Sequence, residues 1–191
     1  MTVIEMSVIV LALIGVFFYF PMNHLRVHGR GAFHNARLDA RIPLVRYFVI
    51  PYIALFPYLL FTVMVISQTA LVFEFALSIA IAVWSAVLTW YLFPSRLRRL
   101  RDIGVDTFSQ MIVWIYSHDH GNWSFPSSHV FYAIICSYYL VLALPAYTLA
   151  FVLIGWLIVV STVFVKQHRV IDIFGGFIWA VVAIAITQSV I

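Results

Sequence analysis

Charge and cysteine are both scarce in this chain. Charged residues make up 9% of the 191 positions, and Cys136 is the one cysteine, so no disulfide can form within the chain. The mean hydropathy is +1.05. A soluble domain of this length exposes a large part of its surface and could not bury that much apolar side chain. The composition therefore excludes a soluble globule and predicts a single-domain integral membrane protein.

The hydrophobic residues form six runs, each of roughly the 17 to 25 residues that cross a bilayer. The predicted spans are Val3–Phe20, Ile42–Ser67, Ala70–Phe93, Ser127–Leu144, Tyr147–Val165 and Ile171–Ile191. The first run lacks the basic start and small-residue cleavage site of a signal peptide, so we expect it to be retained. The predicted fold is an all-α, polytopic bundle of six transmembrane helices that occupies residues 1–191.

Local features modify this plan. Three prolines in the second span, Pro43, Pro51 and Pro57, predict kinks because proline removes a helical hydrogen bond. Residues 105–117 are apolar and aromatic between acidic residues but too short to cross, which predicts a helix lying at the membrane interface. Trp90, Tyr91, Trp114 and Trp123 are predicted to form an interfacial aromatic belt, and Gly175 and Gly176 to let the last span pack closely.

The loops sort onto two faces of the predicted bundle. Counting crossings places residues 21–41, 94–126 and 166–170 together, and the lysine and arginines lie on or beside this face. By the positive-inside rule the face should be cytoplasmic. Arginines that bind a ligand, however, do not report topology.

The stretch SFPSSHVF, residues 124–131, begins the fourth predicted span. Pro126 suits the first turn of a helix and Ser124 suits its cap. The backbone N–H groups of Ser127, Ser128 and His129 would then face outward at the positive end of the helix dipole, where an oxyanion binds well. The stretch predicts a phosphate cradle that contains a proton donor.

A second histidine should return to the same face. His168 follows the fifth span, two crossings after His129, and Asp172 stands four residues later, one helical turn away. This carboxylate can fix the tautomer of the His168 ring, as an orienting acid does for a nucleophile. The arginine run at 96–101 ends the third span at the same level. Together these groups indicate phosphoryl transfer, which needs positioning and charge neutralisation.

At these residues the chain resembles the type 2 phosphatidic acid phosphatase (PAP2) superfamily, whose motifs are K-x6-R-P, P-S-G-H and S-R-x5-H-x3-D on a six-helix membrane core. Residues 126–129, PSSH, match the second motif with Ser128 for glycine, and residues 161–172 match the third with Thr162 for arginine. The resemblance implies that His168 attacks phosphorus, Asp172 orients it and His129 protonates the leaving alkoxide. It implies no metal or other cofactor, and a phosphorylated lipid as the partner.

The first motif is not intact in this chain. Arg96, Arg98 and Arg99 are the candidates for the missing phosphate-binding residues, and Lys166 can add a charge beside the site. A missing arginine weakens the fit to a dianionic monoester, because its charge-assisted fork to phosphate is lost. The same absence resembles the branch of inositol phosphorylceramide and sphingomyelin synthases, which move a phospho-headgroup between lipids.

These observations lead to three hypotheses. The first is a membrane phosphatase acting on a lipid phosphate or pyrophosphate, and the second is a headgroup transferase. The third is a non-catalytic protein that holds a metal or haem through His118, His120, His129 and His168, although two histidines on a polar loop are typical of an interfacial loop. No nucleic-acid partner is expected. The resemblance implies an extracytoplasmic or luminal site, and we favour that sidedness over the one from the basic face.

Overall fold

The structure is a computed structural model that describes residues 2–24, 37–95, 97 and 99–191. Helices account for all the regular structure in these residues. The α-helices are α1 (Val3–His24), α2 (Arg37–Arg41), α3 (Val49–Ile53), α4 (Leu55–Ile66), α5 (Val72–Leu92), α6 (Thr107–His118), α7 (Ser128–Ala143), α8 (Thr148–Phe164) and α9 (Val170–Val190). Short 3₁₀ helices at Arg46–Phe48 and Pro145–Tyr147 precede α3 and α8. The predicted all-α class is confirmed.

Four helical segments are long and apolar enough to cross a membrane. They are Arg46–Ile66, Val72–Leu92, Pro145–Phe164 and Val170–Val190. Val3–Tyr19 and Ser128–Ala143 are shorter apolar helices among the described residues. Helical segments therefore occur in all six predicted regions, whereas the six crossings stay a prediction.

The second predicted span contains an irregularity near its prolines, as predicted. Pro43 lies before the first helical turn, and a turn at Ala54 divides the helical segment into α3 and α4. Pro57 has no N–H to donate, so one hydrogen bond of the helix is lost there, whereas the Ala54 N–H still donates to the Ile50 carbonyl at 3.0 Å. Tyr52 lies in α3, on the near side of this turn.

Helix α7 lies at the centre of the bundle and packs against α4, α5, α8 and α9, while α1 packs on α5. Gly176 of α9 faces the start of α7 so closely that a Cβ there would lie 2.7 Å from the Ser127 carbonyl oxygen and 2.6 Å from the Val130 Cβ. Glycine at position 176 therefore permits the helix contact predicted for it. This contact brings the first turns of α7 and α9 together.

Contacts between loops define one end of the bundle, here called the loop end. The Val170 N–H donates to Asp39 Oδ1 at 2.9 Å, and the Val45 N–H donates to the Phe164 carbonyl at 3.0 Å. Arg99 reaches the Lys166 carbonyl at 3.4 Å. These contacts confirm that the described parts of the three basic loops lie together. At the opposite end, Gln188 donates to Glu74 at 3.0 Å.

The prediction of an interfacial aromatic belt is only partly correct. Tyr91 and Trp114 are exposed, as a belt requires. Trp90 is 1% exposed and Trp123 is 7% exposed, so both were placed wrongly. The Trp90 indole N–H donates to the Pro126 carbonyl at 3.2 Å, because the helix face that carries it turns toward the bundle interior rather than toward lipid.

Candidate active site

His168 is presented by the way α8 ends. Lys166 adopts a left-handed backbone with φ of 57°, and its N–H donates to the Val163 carbonyl at 3.2 Å, while the Gln167 N–H donates to the Thr162 carbonyl at 2.9 Å. This pair of bonds is the Schellman arrangement that usually has glycine at the left-handed position. A third bond, from the His168 N–H to the same Thr162 carbonyl at 3.0 Å, fixes the next residue. The turn therefore sets the backbone of His168 rigidly at the loop end.

The His168 ring is held by a backbone carbonyl. Its Nδ1 lies 3.1 Å from the Ser124 carbonyl oxygen and 3.7 Å from Asp172 Oδ2. Because a carbonyl can only accept, Nδ1 carries the proton in the neutral ring. Nε2 is thus the nitrogen left with a lone pair for a substrate. The hydrogen bond that fixes the tautomer runs to Ser124, and Asp172 stands at ion-pair distance.

Asp172 is fully buried and closely paired with Arg169. Helix α9 begins at Val170, with Arg169 as its N-cap, so His168 lies before the helix rather than within it. Asp172 Oδ2 accepts from the Arg169 backbone N–H at 2.9 Å, and Oδ1 accepts from Arg169 Nη2 at 3.1 Å. Arg169 is not among the site residues predicted from the sequence. The sequence pattern that could have indicated the pair is an arginine three residues before an acid at the start of a helix.

The cradle at the start of α7 differs from the prediction. Ser127, not Ser124, is the N-cap, and its hydroxyl makes no capping bond. The Ser127 N–H donates to the Asp172 carbonyl at 3.1 Å, so this amide is already used. Ser124 instead accepts from Arg169 Nη2 at 3.1 Å. Both differences arise because α9 packs against the first turn of α7, a contact that local sequence patterns do not contain.

His129 lies in the first turn of α7, close to His168. The two ring centroids are 6.0 Å apart. Tyr52 stacks on the His129 ring at 4.2 Å with an interplanar angle of 14°, and Phe56 meets it edge-on at 6.2 Å. The structure thus brings His129, His168 and Asp172 together, with the two rings near enough to contact one bound group of phosphate size.

Of the three arginines predicted to bind phosphate, Arg99 is described and reaches the carbonyl of Lys166, two residues before His168, at 3.4 Å. Arg96 and Arg98 lie outside the described residues. Arg99 Nη2 donates to the Asp119 carbonyl at 2.8 Å and to Asp119 Oδ1 at 2.9 Å. Its guanidinium lies 4.5 Å from the ring centre of Tyr116, a cation–π contact. Burial raises the pKa of Tyr116 to about 12, so this ring stays neutral.

The Lys166 ammonium is held by backbone carbonyls of the segment that includes α2. It donates to the Asp39 carbonyl at 3.0 Å and to the Ile42 carbonyl. Burial lowers the pKa of the Lys166 ammonium, against the opposing effect of Asp39. This lysine therefore joins the end of α8 to residues 39–42, and its role in binding phosphate stays a prediction.

Several buried polar atoms at the loop end have no hydrogen-bond partner among the described residues. Four of them are Arg99 Nε, Ser127 Oγ, His129 Nε2 and Gln167 Nε2, in the turn before His168, in the first turn of α7 and in the loop that contacts that turn. Asp39 Oδ2, an acceptor, is also unpartnered. Buried polar groups in native proteins nearly always have partners. Ser128 adjoins Ser127 and His129 in the first turn of α7 and is 8% exposed.

His118, one of the four histidines of the third hypothesis, has its own local partners in α6. His118 hydrogen-bonds to the Trp114 carbonyl at 2.8 Å and packs on the Trp114 ring at 4.3 Å. No group of three or more His, Cys, Asp or Glu side chains placed to hold a metal ion is found in the described part of the chain.

Two apolar grooves extend from the loop end toward the opposite end. One, of about 310 Å³, lies between α1, α4 and α5 and includes Phe56, the residue that meets His129. The other, of about 420 Å³, lies between α7, α8 and α9 and includes Val130 and Ile173, the chain neighbours of His129 and Asp172. Both grooves start beside the candidate site and have apolar walls.

The fold and the site define a protein that is helical throughout its described regular structure, with four helical segments long and apolar enough to cross a membrane and a histidine–carboxylate cluster at one end. Comparison of the chain with models of protein families, with curated proteins and with solved structures found no match.

Proposed function

We propose that this protein is a multi-pass membrane phosphatase that hydrolyses a lipid phosphate or pyrophosphate through a phosphohistidine on His168. The observation that carries the proposal is the pairing of His168 with His129 inside a set of unpartnered buried donors. The tautomer held by Ser124 leaves Nε2 of His168 free to act as a nucleophile. A nucleophile, a second imidazole and open donors are the groups that phosphoryl transfer requires.

The reaction proceeds in two balanced steps. The Nε2 lone pair of His168 attacks phosphorus, the bond to the lipid oxygen breaks, and protonated His129 gives its proton to the leaving alkoxide. Neutral His129 then takes a proton from water as the water attacks the phosphohistidine. The phosphorus–nitrogen bond breaks, inorganic phosphate leaves, and His168 is regenerated. Arg99 Nε, Ser127 Oγ and Gln167 Nε2 donate to the phosphoryl oxygens throughout.

A lipid substrate is supported by the position of the site. The site lies at the ends of apolar helices. The groove between α1, α4 and α5 starts at Phe56, which contacts the His129 ring. Phe56 to Ser67 spans about 16 Å at the helical rise per residue. A hydrocarbon chain in this groove would leave its headgroup at the histidine pair.

Replacing His168 with alanine tests the proposal. Purified protein in detergent is supplied with a panel of lipid phosphates and pyrophosphates, and inorganic phosphate is measured. We expect release by the parent protein and loss of at least 10³-fold in His168→Ala, since removing a covalent nucleophile typically costs that much or more. A ³²P-labelled substrate should leave acid-labile label on the parent but not on the variant.

His118→Ala is the matched control, because His118 lies on an exposed helix face at the same end. It should retain full activity. Equal phosphate release by His168→Ala and the parent protein would disprove the phosphohistidine mechanism.

A lipid headgroup transferase is the second candidate. The observation that favours it is Thr162, which is fully buried and donates to the Val159 carbonyl at 2.8 Å, so no charge occupies the position of the family's arginine. Two grooves beside one site also suit two lipids. Under this function, product forms only when a lipid alcohol is added, and release of phosphate to water without an acceptor counts against it.

A further inference from the structure

We infer that Arg169 is a positioning residue that keeps the Asp172 carboxylate paired, so that the Ser124 carbonyl orients the His168 ring with Nε2 available as the nucleophile. This inference rests on the proposed function for its kinetic consequences. Its geometric basis is the set of contacts around Asp172, which the phosphohistidine mechanism does not itself require.

The first step of the argument is the pairing of a fully buried carboxylate. Asp172 is 0% exposed, and Arg169 meets it at both oxygens, through the backbone N–H and Nε at Oδ2 and through Nη2 at Oδ1. The Nε contact is long, at 3.4 Å, and the other two are 2.9 and 3.1 Å. A buried charge must be paired, and here the pairing is complete without His168.

The second step is that Arg169 also fixes the residue that holds the His168 ring. Arg169 Nη2 donates to Ser124 Oγ at 3.1 Å, and Ser124 Oγ lies 3.0 Å from Ser95 Oγ. The Ser124 N–H in turn donates to Ser95 Oγ at 2.9 Å. One guanidinium thus positions both groups that face Nδ1 of His168.

The third step concerns the other charges near His168. His129 faces it from α7, and Arg99, paired with Asp119, reaches the turn that carries it. Lys166 directs its ammonium to carbonyls near α2. If Arg169 lost its charge, Asp172 would be left with His168 at 3.7 Å as its nearest cation among the described groups. The carboxylate would then favour the doubly protonated ring, whose Nε2 has no lone pair to attack with.

The test compares Arg169→Gln, Arg169→Lys and the parent protein. In Arg169→Gln we expect the acidic limb of the pH profile of kcat/KM to move to higher pH by about one unit, the effect of an opposite charge a few ångströms away. Arg169→Lys, which keeps the charge, should move it less. Arg46→Gln is the matched control, because Arg46 forms a half-exposed ion pair with Asp106 outside the site.

The protonation of His168 gives a readout that does not depend on activity. It is measured by ¹⁵N NMR on protein with labelled histidine. The His168 resonance is assigned by its absence in His168→Gln. We expect an Nδ1-protonated neutral ring in the parent protein and a protonation midpoint at higher pH in Arg169→Gln. If no lipid is turned over, this measurement still tests Arg169, so a failure of the proposed function is distinguished from a failure of the inference.

Loss of activity at all pH values with an unchanged histidine titration would show that Arg169 is merely structural and overturn the inference. If Arg169→Gln does not fold, Ser124→Ala takes its place, since it keeps the carbonyl and removes one contact of the guanidinium. A smaller shift in the same direction is then expected, and an unshifted titration overturns the inference equally.

Discussion

The side chains around His168 divide into those with satisfied hydrogen bonds and those with an open position. Arg169 and Asp172 satisfy each other, whereas Arg99 Nε and Ser127 Oγ have no partner among the described residues. Leaving one buried donor unsatisfied costs about 1–3 kcal/mol of folding stability. The unpartnered donors are therefore the natural targets for mutation.

Arg99→Lys tests the guanidinium of Arg99 as a phosphate-binding group. A lysine keeps the charge but cannot replace both the pair with Asp119 and the free N–H. We expect kcat/KM for the lipid phosphate to fall roughly 10- to 100-fold, as for loss of a hydrogen bond to a charged group. Arg46→Lys, outside the site, should leave kcat/KM unchanged. An equal effect of both substitutions would argue against a role for Arg99 in binding phosphate.

The histidine pair could be predicted from the sequence, because each histidine lies at a helix boundary and two crossings separate them. The partners of the rings could not. Whether Nδ1 of His168 faces Asp172 or the Ser124 carbonyl depends on a difference of 0.6 Å, 3.7 against 3.1 Å, which packing determines. For Lys166, the sequence showed a charge near the site but not its direction.

Helices α7 and α9 are joined by a backbone hydrogen bond as well as by close packing. The Ser127 N–H bonds to the Asp172 carbonyl, and Gly176 lies against the Ser127 carbonyl. This contact determines how far the first turns of both helices, and hence His129 and Asp172, lie from each other. The sequence indicated close packing at Gly176 but not its partner helix.

Gly176→Ala should therefore disturb both stability and activity. Its Cβ would lie 2.7 Å from a backbone oxygen, which cannot rotate away, and overpacking of this kind costs about 1–3 kcal/mol. The midpoint of thermal unfolding in detergent is the measurement. Gly155→Ala is the comparison, because its nearest atom is Ser137 Oγ, at the end of a side chain that can change rotamer. A larger loss in Gly155→Ala would contradict this account.

At the scale of the whole molecule, the described helices place their contacting polar groups at two opposite ends, the arrangement predicted for a bundle of crossings. Arg99, Asp39 and Lys166 meet at the loop end, while Glu74 and Gln188 meet at the other. The order of apolar runs was enough to predict this arrangement. The grooves between the helices could not be predicted, since their shape depends on how far side chains from different helices interdigitate.

Cysteine labelling tests the crossings directly, because Cys136 is fully buried and should not react. Val105→Cys lies at the loop end, where Val105 is 89% exposed, and Gln68→Cys lies at the opposite end. With a membrane-impermeant maleimide on intact cells, we expect one site to label and the other to label only after permeabilisation. Labelling of both from the same side would contradict the alternating arrangement, and labelling of Val105→Cys alone would place the histidines outside the cytoplasm.

The backbone bond between Ser127 and Asp172 also bears on motion. Because main-chain groups join the first turns of α7 and α9, the two helices that carry His129 and Asp172 should move as one body. A lipid headgroup that enters between the helices must therefore displace an element other than α7 and α9. The helical segment interrupted at Ala54 covers the opposite side of His129 with Tyr52 and Phe56. We expect this broken helix to be the moving part during substrate entry, with the paired helices as its fixed frame.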